Sequence, residues 1–591
     1  MSEQTGFSKP LGEQIPETRH AISVSLPNWD DVVAFAAKDP RVMDALKGGY
    51  PRFVFHKDVV AVSKLCIEMY QKQLPAIQAG VEEATRGVGC LAFPSITYAA
   101  DCHEYIARST GSPGNEVTVR RFDFSIPRRA DPRPDGEEAS RFGTMDLYAV
   151  FYPEKYHDTA RRFWRISGTG ISSRLAEDIL QGTETETTED RMYDRKLSVS
   201  SSHRVIQRRI ANLLHRGVLI PPDRLEDDGA VFDVVHLYPT GMAAIYSLTK
   251  MLRSWGGTKA VVFGFPYDST LRVQESFAKD HLFFGHGTAD ELDQLEAHLQ
   301  EEKEVHNRTI QYVWCECTSN PLVHTPDLDR IRALADEYGF LVIFDDTIGT
   351  AANVNVLDVA DIIVTSLSKS FNGRADAMGG SIVLNRLQPH HHDQLRRLFA
   401  SQENAGYTDS SLLYHRDAQQ IELNSRDYLP RIATMNANAA RLVDRLTPLA
   451  GPGRALQRIY YPRGDPNYQA RMRPVKKTRD DESGGDDGFV PGYGGLFTLG
   501  FASVNVARAF FDALDVCKGS SLGAEMTLAQ PYVQTVFPRK KEWAAQYGLD
   551  EAIVRCSIGV EDGGVLERIF GVAMEAAEKA FDGGPCSDPK R

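Results

Sequence analysis

Between residues 193 and 385, runs of apolar residues alternate with stretches that repeat apolar residues at helical spacing. Each run has the length and the β-branched content of a buried strand and breaks into a polar loop. The segments are 234–252, 259–271, 310–331, 338–350 and the run at 362–364. This alternation predicts an α/β domain over residues 191–385 with a mostly parallel sheet. Functional groups are then expected at the carboxyl ends of its strands.

The residues before this domain have a different pattern. Residues 1–190 predict an extra N-terminal region of mixed α and β structure, and we find no group of residues typical of a catalytic site in it. The alternating run 117–126 and the apolar run 146–152 predict strands. The segment 52–74 begins with a strand-like run and continues at helical spacing.

The residues after it predict a helical connection and a second, smaller domain. Residues 386–446 are helical in pattern, and residues 447–591 predict an α+β C-terminal domain. The charged, glycine-rich insert 473–488 has few residues that could be buried, so we expect a mobile surface loop there.

Composition narrows the class of protein. The formal net charge of −13 over 591 residues argues against a nucleic-acid surface. No apolar run is long enough to span a bilayer, and the polar N-terminus does not resemble a secretory signal. The eight cysteines form no CxxC pair and are expected to be reduced, as in a cytoplasmic protein. His390–His392 predicts the start of a polar helix, and no metal site is expected.

One lysine stands out at a strand end. Lys369 follows the apolar run 362–364 in a loop rich in serine and glycine. Desolvation at such a place favours the neutral amine, which is the nucleophilic form. By itself, the pattern is equally that of an ordinary loop lysine.

Two further strand ends complement Lys369. Gly241 and Met242 form a strand-to-helix turn whose N–H groups can bind an anion, with the hydroxyls of Ser366 and Ser368 nearby. Asp345 ends an apolar strand and needs a cationic partner unless it only caps the next turn. A phosphate site, a buried acid and a desolvated lysine together indicate pyridoxal 5'-phosphate as the cofactor.

Over residues 193–565, these segments resemble, in order, the cystathionine γ-synthase family, the Cys/Met-metabolism branch of fold-type I pyridoxal phosphate enzymes. TSLSKSFNGRADAMGG resembles the family's lysine signature, FDDT its V-D-N-T, PTGMAAI its S-G-M-A-A, PYDST its L-Y-G-G-T and ECTSNP its E-T-P-S-N-P. The resemblance implies that Lys369 holds the cofactor as a Schiff base and that Asp345 pairs with the pyridine nitrogen. It also implies that Gly241, Met242, Ser366 and Ser368 bind the phosphate. Tyr267 would stack on the ring and move protons, and Asn320 would lie near the phenolic oxygen.

Three more motifs concern the substrate and a second subunit. RCSIGVED resembles R-L-S-V-G-I-E-D and implies that Arg555 binds the substrate carboxylate; SSLGAEMTLAQP places Ser521 beside it. YDR resembles a Y-S-R whose side chains reach the phosphate of the neighbouring subunit. The resemblance therefore implies that Tyr193 and Arg195 serve the partner's site in an obligatory dimer, which is expected to form a homotetramer.

The sequence also departs from the family pattern. Ser368 stands where threonine is usual, Ser370 where an aromatic residue is usual, and Arg374 in place of a histidine. VSSS at 199–202 replaces an expected N-P-T. These departures mark a divergent branch and bear more on the substrate than on the cofactor. Fungal cystathionine γ-synthases are similar in having a long N-terminal extension.

The implied reaction is γ-replacement, in which O-acylhomoserine, here O-acetylhomoserine, and L-cysteine give cystathionine. The same residues would serve a cystathionine lyase, a sulfhydrylase, or a secondary-metabolism enzyme that adds a carbon nucleophile. A non-catalytic scaffold on this fold should have lost the lysine or the aspartate, and both are present.

Overall fold

The computed structural model describes residues 7–51, 53–73, 87–111, 116–127, 142–184, 199–217, 234–403, 406–474 and 488–583. Seventeen strands are present in these ranges. They are β1 Gln14–Ile15, β2 Ser23–Val24, β3 Val88–Phe93, β4 Thr118–Pro127, β5 Phe142–Pro153, β6 Val235–Tyr238, β7 Ala260–Phe263, β8 His281–Phe284, β9 Tyr312–Glu316, β10 Leu341–Asp345, β11 Ile362–Thr365, β12 Gly380–Leu384, β13 Leu456–Tyr460, β14 Leu496–Phe501, β15 Cys517–Lys518, β16 Leu528–Pro531 and β17 Ile553–Ser557.

The same ranges contain twenty α-helices. They are α1 Trp29–Ala36, α2 Pro40–Met43, α3 Lys57–Gln73, α4 Ile96–Thr110, α5 His157–Ser167, α6 Ser173–Glu184, α7 Ser201–His215, α8 Gly241–Leu252, α9 Asp268–Phe277, α10 Ala289–Glu304, α11 Leu328–Tyr338, α12 Thr350–Asn353, α13 Pro389–Glu403, α14 His415–Asn424, α15 Tyr428–Leu446, α16 Pro466–Arg471, α17 Val504–Ala513, α18 Tyr532–Val536, α19 Lys541–Ala545 and α20 Gly563–Asp582.

The central sheet has seven strands in the order β6-β12-β11-β10-β9-β7-β8. All pairings are parallel except the two made by β12, which runs against its neighbours β11 and β6. The predicted α/β domain with a mostly parallel sheet is therefore confirmed. Because the parallel strands end at one edge, their carboxyl-terminal loops meet there.

Local capping explains where the helices around this edge begin. Thr240 follows β6 and caps α8, since its hydroxyl accepts a hydrogen bond from the Ala243 amide at 2.9 Å. Asp327 caps α11 in the same way through the Arg330 amide, and α11 ends where Gly339 adopts a φ of +75°.

The C-terminal domain contains a five-stranded sheet in the order β13-β14-β17-β16-β15, against which α17 and α20 pack. The predicted smaller α+β domain and the helices that precede it are thus present. In the N-terminal region, β4 and β5 contain the predicted strands 117–126 and 146–152 and pair antiparallel with β3 in the order β3-β5-β4. The strand-like run at the start of 52–74 is not a strand, because residues 53–56 precede α3 as irregular chain.

The described part of residues 1–190 does not form a core of its own. Apolar side chains of β3, α4, β5 and α5 belong to one continuous cluster with those of the central sheet. Apolar residues between positions 11 and 46 instead pack on the C-terminal domain, where the Trp29 and Phe511 rings lie 6.2 Å apart. Buried Lys518 donates to the Pro27 carbonyl at 2.8 Å. The N-terminal region therefore bridges the two larger domains.

The prediction that residues 473–488 form a mobile surface loop does not hold for the first residue of the insert. Arg473 is buried and donates to the carbonyls of Ala351 and Leu214 at 2.7 and 2.9 Å. Burial lowers the pKa of Arg473 to about 10. Residues 475–487 lie outside the described residues.

The structure also bears on the predictions about the histidine run, metal sites, cysteines and membrane spans. His390–His392 fall in the first turn of α13, as predicted. No cluster of His, Cys, Asp and Glu side chains suited to a metal ion occurs in the described ranges. Seven cysteines are free and buried. None of the helices described above is long and apolar enough to cross a membrane.

Phe163→Ala tests the shared core. Phe163 is fully buried, and its ring lies 5.8 Å from that of Tyr246 on α8 and 6.2 Å from that of Phe277 on α9. Removing it should lower the free energy of unfolding by about 3–5 kcal/mol, measured by denaturant titration. The control Phe581→Ala removes a 36 % exposed ring on α20 and should change stability little. Equal effects of the two substitutions would contradict the shared core.

Candidate active site

A cavity of about 260 Å³ opens where the carboxyl ends of β6, β7, β9, β10 and β11 face the C-terminal domain. Most of the predicted site residues line it. They are Lys369, Tyr267, Asp345, Gly241, Met242, Ser366, Ser368, Asn320 and Arg555. Ser521 lies directly beside Lys369. Tyr193 and Arg195 lie outside the described residues, so their role stays a prediction.

The beginning of α8 is open for an anion. Among the described residues, none accepts a hydrogen bond from the amides of Gly241 and Met242, which head the helix. A Cβ on Gly241 would lie 2.7 Å from the Cβ of Ser366, so only glycine lets this turn approach the lysine loop. Helix N-termini with unused amides favour anions such as phosphate.

The two predicted hydroxyls differ in their surroundings. Ser366 lines the cavity, and its amide donates to the Thr347 hydroxyl at 2.9 Å. Ser368 also lines the cavity, but its hydroxyl lies 3.0 Å from the amide of Gly379 and 3.3 Å from its carbonyl. Ser368 therefore also holds the lysine loop against the start of β12.

Lys369 is half-buried in a tight loop after β11. Its amide donates to the Ser366 carbonyl at 3.2 Å, and its carbonyl accepts from the Gly373 amide at 2.7 Å. Its Nζ lies 3.3 Å from the Ser521 hydroxyl of the C-terminal domain. The amine is thus positioned in the cavity by contacts from both domains.

Three carboxyl groups are buried at the ends of two neighbouring strands. Burial raises the pKa of Asp345 to about 6 and that of Asp346 to about 7. Burial, reinforced by the Asp345 charge, raises the pKa of Glu316 well above its ordinary value. Asp345 accepts from the Thr347 amide at 2.9 Å, and Asp346 accepts from the Thr365 hydroxyl at 2.6 Å. A cation entering the cavity would stabilise the ionised forms.

Arg555 lies on β17 and is buried. It donates to Asn320 Oδ1 at 3.1 Å, to the Ser521 carbonyl at 3.0 Å and to Gln530 Oε1 at 2.8 Å. Its guanidinium lies 5.3 Å from the centre of the Tyr532 ring. These neutral contacts hold the planar guanidinium in place at the edge of the cavity.

Tyr267 lies just before α9. Its amide donates to Glu316 Oε1 at 2.7 Å, which ties the loop after β7 to the end of β9. In the first turn of α9, Asp268 pairs with Arg272 at 2.7 Å. These residues form the cavity wall opposite the C-terminal domain.

Two departures from the family pattern have structural reasons. Ser370 is buried against Gly523. A Cβ added to Gly523 would come within 2.6 Å of the Ser370 amide and hydroxyl. Because the two residues are packed this closely, an aromatic side chain at position 370 has no room. Arg374 pairs with Glu525 and, at 2.8 Å, with Asp427. It therefore connects the lysine loop to the C-terminal domain and to α15.

Sequence reasoning missed several residues that line the cavity, some of them within the motifs it used and others outside them. From the N-terminal region come Ile22, Phe35, Pro51, Phe53, Arg165 and Gly168; from the rest of the chain come Glu316, Thr347, Gln530 and Tyr532. Glu316 and Thr347 stand in the quoted motifs ECTSNP and FDDT and could have been found there. The N-terminal residues carry no local signal of function.

Two family models match the chain. Residues 228–574 match the Cys/Met metabolism PLP-dependent enzymes. The chain belongs to this family. Residues 58–172 match the N-terminal domain of fungal trans-sulfuration enzymes. The chain is therefore an enzyme that uses pyridoxal phosphate, and its N-terminal region is a recurring part of its fungal relatives.

Full-length relatives carry different names. An alanine racemase of Aspergillus violaceofuscus is 34 % identical over 97 % of both chains. The cystathionine γ-synthase-like enzyme iboG2 of Amanita muscaria is 34 % identical over 98 % of both chains. Membership of the cystathionine γ-synthase-like group is thus confirmed, and the group contains more than one activity.

The fold has solved counterparts. The cystathionine γ-synthase of Xanthomonas oryzae, in complex with aminoacrylate and cysteine, aligns with a TM-score of 0.51 at 20 % identity. The alignment covers 67 % of this chain and 91 % of that one. The predicted fold-type I architecture is confirmed.

The residues in the cavity fit the cofactor. The unused amides of Gly241 and Met242 and the approach that Gly241 allows to Ser366 suit a phosphate. The buried Asp345 would suit a protonated ring nitrogen, and the amine of Lys369 would suit attachment of the cofactor's aldehyde.

Asp345→Asn should stabilise the cofactor-free chain at pH 8 but not at pH 4. The pKa of Asp345 rises from 3.8 to about 6 on folding, so ionisation penalises the folded state increasingly between these values and fully above pH 6. A shift of about two units corresponds to about 3 kcal/mol. Denaturant unfolding of both proteins at pH 4 and pH 8 measures the difference. The same stability difference at both pH values would show that the carboxyl is not penalised by burial.

Proposed function

We propose that this enzyme catalyses γ-replacement, in which O-acetylhomoserine or another O-acylhomoserine reacts with L-cysteine to give cystathionine. The observation that carries the proposal is the convergence of Lys369, Asp345 and Arg555 on one cavity. It is supported by the cystathionine γ-synthase-like relative of Amanita muscaria and by the fold of the Xanthomonas synthase.

Arg555 is the proposed binding residue for the substrate carboxylate. Asn320 and Gln530 fix its guanidinium plane, and a planar guanidinium binds a carboxylate through two parallel hydrogen bonds. A substrate held at this end is oriented relative to Lys369, which lies in the same cavity. Ser521 is close to both residues, because its hydroxyl contacts Lys369 and its carbonyl contacts Arg555.

Lys369 is the proposed acid and base. Bound pyridoxal phosphate supplies an electron sink that makes the Cα–H bond acidic. Lys369 Nζ takes the Cα proton and then moves a proton at Cβ, after which the acyloxy group leaves Cγ with its bonding electrons. The cysteine thiolate forms the new bond to Cγ, and the protons return to Cβ and Cα. The hydroxyl of Ser521 orients Nζ during these transfers.

Asp345 and Tyr267 complete the set. Asp345 would keep the ring nitrogen protonated, and its burial between neighbouring strands makes this pairing strong. Tyr267 is proposed to take the proton of the incoming amine or thiol, from a position fixed by its amide's bond to Glu316. Gly241, Met242, Ser366 and Ser368 are proposed to bind the phosphate, and Asn320 to lie near the phenolic oxygen.

Racemisation is a second candidate. The Aspergillus relative described as an alanine racemase is as similar to this chain as the synthase-like relative. Racemisation needs the same Cα proton removal but no leaving group at Cγ. The cystathionine lyase, sulfhydrylase and carbon-nucleophile alternatives also share these residues and differ in what enters or leaves.

We also propose a homodimer that assembles further into a tetramer, with Tyr193 and Arg195 reaching the partner's phosphate, and a location in the cytoplasm. Light scattering of the purified protein tests the assembly. Arg195→Ala should weaken the dimer-dependent cofactor binding if the shared-site prediction is right.

Lys369→Ala should remove the covalent attachment of the cofactor. The wild-type protein is expected to be yellow, with the visible absorbance of lysine-bound pyridoxal phosphate, and the variant should lose this band and all activity. Lys303→Ala, on the exposed face of α10, serves as the control and should keep both. A colourless wild-type protein would contradict the assignment of Lys369 as the residue that attaches the cofactor.

A substrate panel chooses among the reactions. O-acetylhomoserine is offered with cysteine, sulfide or a carbon acid, and the products are identified by mass spectrometry. Cystathionine from the cysteine reaction is the expected result. A keto acid from cystathionine alone would indicate a lyase, and conversion of L-alanine to D-alanine on a chiral column would indicate a racemase.

A further inference from the structure

The N-terminal region places one arginine in the cofactor cavity. Arg165 lies in the last turn of α5, and its side chain lines the same cavity as Gly241, Met242 and Lys369. The side chain is accessible, yet burial and the neighbouring Arg272 lower the pKa of Arg165. Its accessibility and its lowered pKa are both consistent with a guanidinium that projects into the cavity and is surrounded by protein there.

The guanidinium has no partner in the described part of the chain. No described residue accepts a hydrogen bond from Arg165 or forms an ion pair with it. Asp268, a carboxylate whose charge acts on Arg165, is paired with Arg272 at 2.7 Å. The other arginine of α5 near this wall, Arg161, donates to the Phe53 carbonyl. A guanidinium that lines a cavity without a protein acceptor among the described residues is available to bind an anion through charged hydrogen bonds.

The position of α5 indicates which anion. Gly168, three residues after Arg165, is packed against α8, where an added Cβ would lie 2.7 Å from the Met242 Cβ. The Thr240 hydroxyl that caps α8 donates to the Gly168 carbonyl at 3.0 Å. The last turn of α5 is thus fixed to the turn that presents the unused amides of Gly241 and Met242.

The charges of the groups that line the cavity also favour the phosphate as the anion that Arg165 binds. The phosphate of the cofactor carries close to two negative charges, while the amides and serine hydroxyls at the α8 turn are neutral donors. Of the other cationic groups that line the cavity, Arg272 is paired with Asp268, Arg555 is held by Asn320 and Gln530, and Lys369 is the attachment point for the aldehyde. Among the described residues of the same chain, Arg165 is the cation of the cavity lining that these assignments leave for the phosphate.

We propose that Arg165 binds the phosphate of pyridoxal phosphate from within the same chain. The N-terminal region then takes part in cofactor binding in every subunit, whatever the neighbouring subunit contributes. This assignment does not depend on which amino acid the enzyme converts.

The test separates the phosphate from the rest of the cofactor. Wild-type holoenzyme and the variants Arg165→Gln and Arg165→Lys are dialysed to equilibrium against graded concentrations of pyridoxal phosphate or of pyridoxal, which has no phosphate. Bound ligand is measured by absorbance. Arg162→Gln is the matched control, because Arg162 is an exposed arginine on the same helix and does not line the cavity.

Arg165→Gln is expected to weaken pyridoxal phosphate about 10- to 100-fold, the usual range for a lost charged hydrogen bond. It should leave pyridoxal unchanged. Arg165→Lys should fall between it and the wild type, and Arg162→Gln should match the wild type. Equal weakening of both ligands would reveal a damaged pocket and overturn the proposal.

Unchanged affinity for pyridoxal phosphate in Arg165→Gln would overturn it as well. If KM for the amino-acid substrate rises in that case, Arg165 binds a substrate anion instead. Because the first readout is cofactor affinity, failure of the γ-replacement proposal would leave this result untouched.

Discussion

The burial of three carboxyl groups at the ends of β9 and β10 is the constraint around which the site is built. Glu316, Asp345 and Asp346 lie at or next to the ends of adjacent strands, and burial raises the pKa of each. Ionised carboxyls at such a place are unfavourable unless a cation joins them. The cofactor-free chain can relieve the cost by taking up protons. In the proposed site, a bound cofactor with a protonated ring nitrogen would relieve it by pairing with Asp345.

The cavity needs three parts of the chain. The central sheet supplies the acids, the lysine and the α8 turn, and the C-terminal domain supplies Arg555 and Ser521. The N-terminal region completes the wall with apolar side chains and Arg165. Arg165 is carried by α5, whose apolar side chains share one core with α8, whereas Phe35 and Phe53 pack in the core of the C-terminal domain. The addition that distinguishes this chain from its shorter structural counterpart is thus part of the active site.

Sequence reasoning reached the residues that follow strands. Lys369, Asp345 and Gly241 could be predicted because a buried parallel strand leaves an unmistakable apolar run, and the residue after it is delivered to a known edge. The same logic explains the confirmed mostly parallel sheet. Arg165 could not be found in this way. Arg165 lies on an amphipathic helix rich in arginine, so its sequence context does not set it apart. Its position depends on the contact between Gly168 and α8, which joins residues more than seventy positions apart in the chain. The prediction of a strand before α3 failed for a related reason, since none of the strands in the described ranges pairs with residues 53–56.

The residues that all the candidate reactions would use are separate from those that could select among these reactions. In the proposed mechanism, Lys369 removes the Cα proton, Arg555 binds the carboxylate and Asp345 stabilises the charge of the ring, and a synthase, a lyase and a racemase would all use these three roles. What differs between these reactions is the space beyond Cβ and the groups that meet a leaving group or a nucleophile there. In this chain, part of the cavity wall consists of Ile22, Phe35, Pro51 and Phe53, all from the first fifty-three residues. This part of the wall comes from a region that supplies none of Lys369, Asp345 and Arg555, so a substitution here alters the cavity without altering those three side chains.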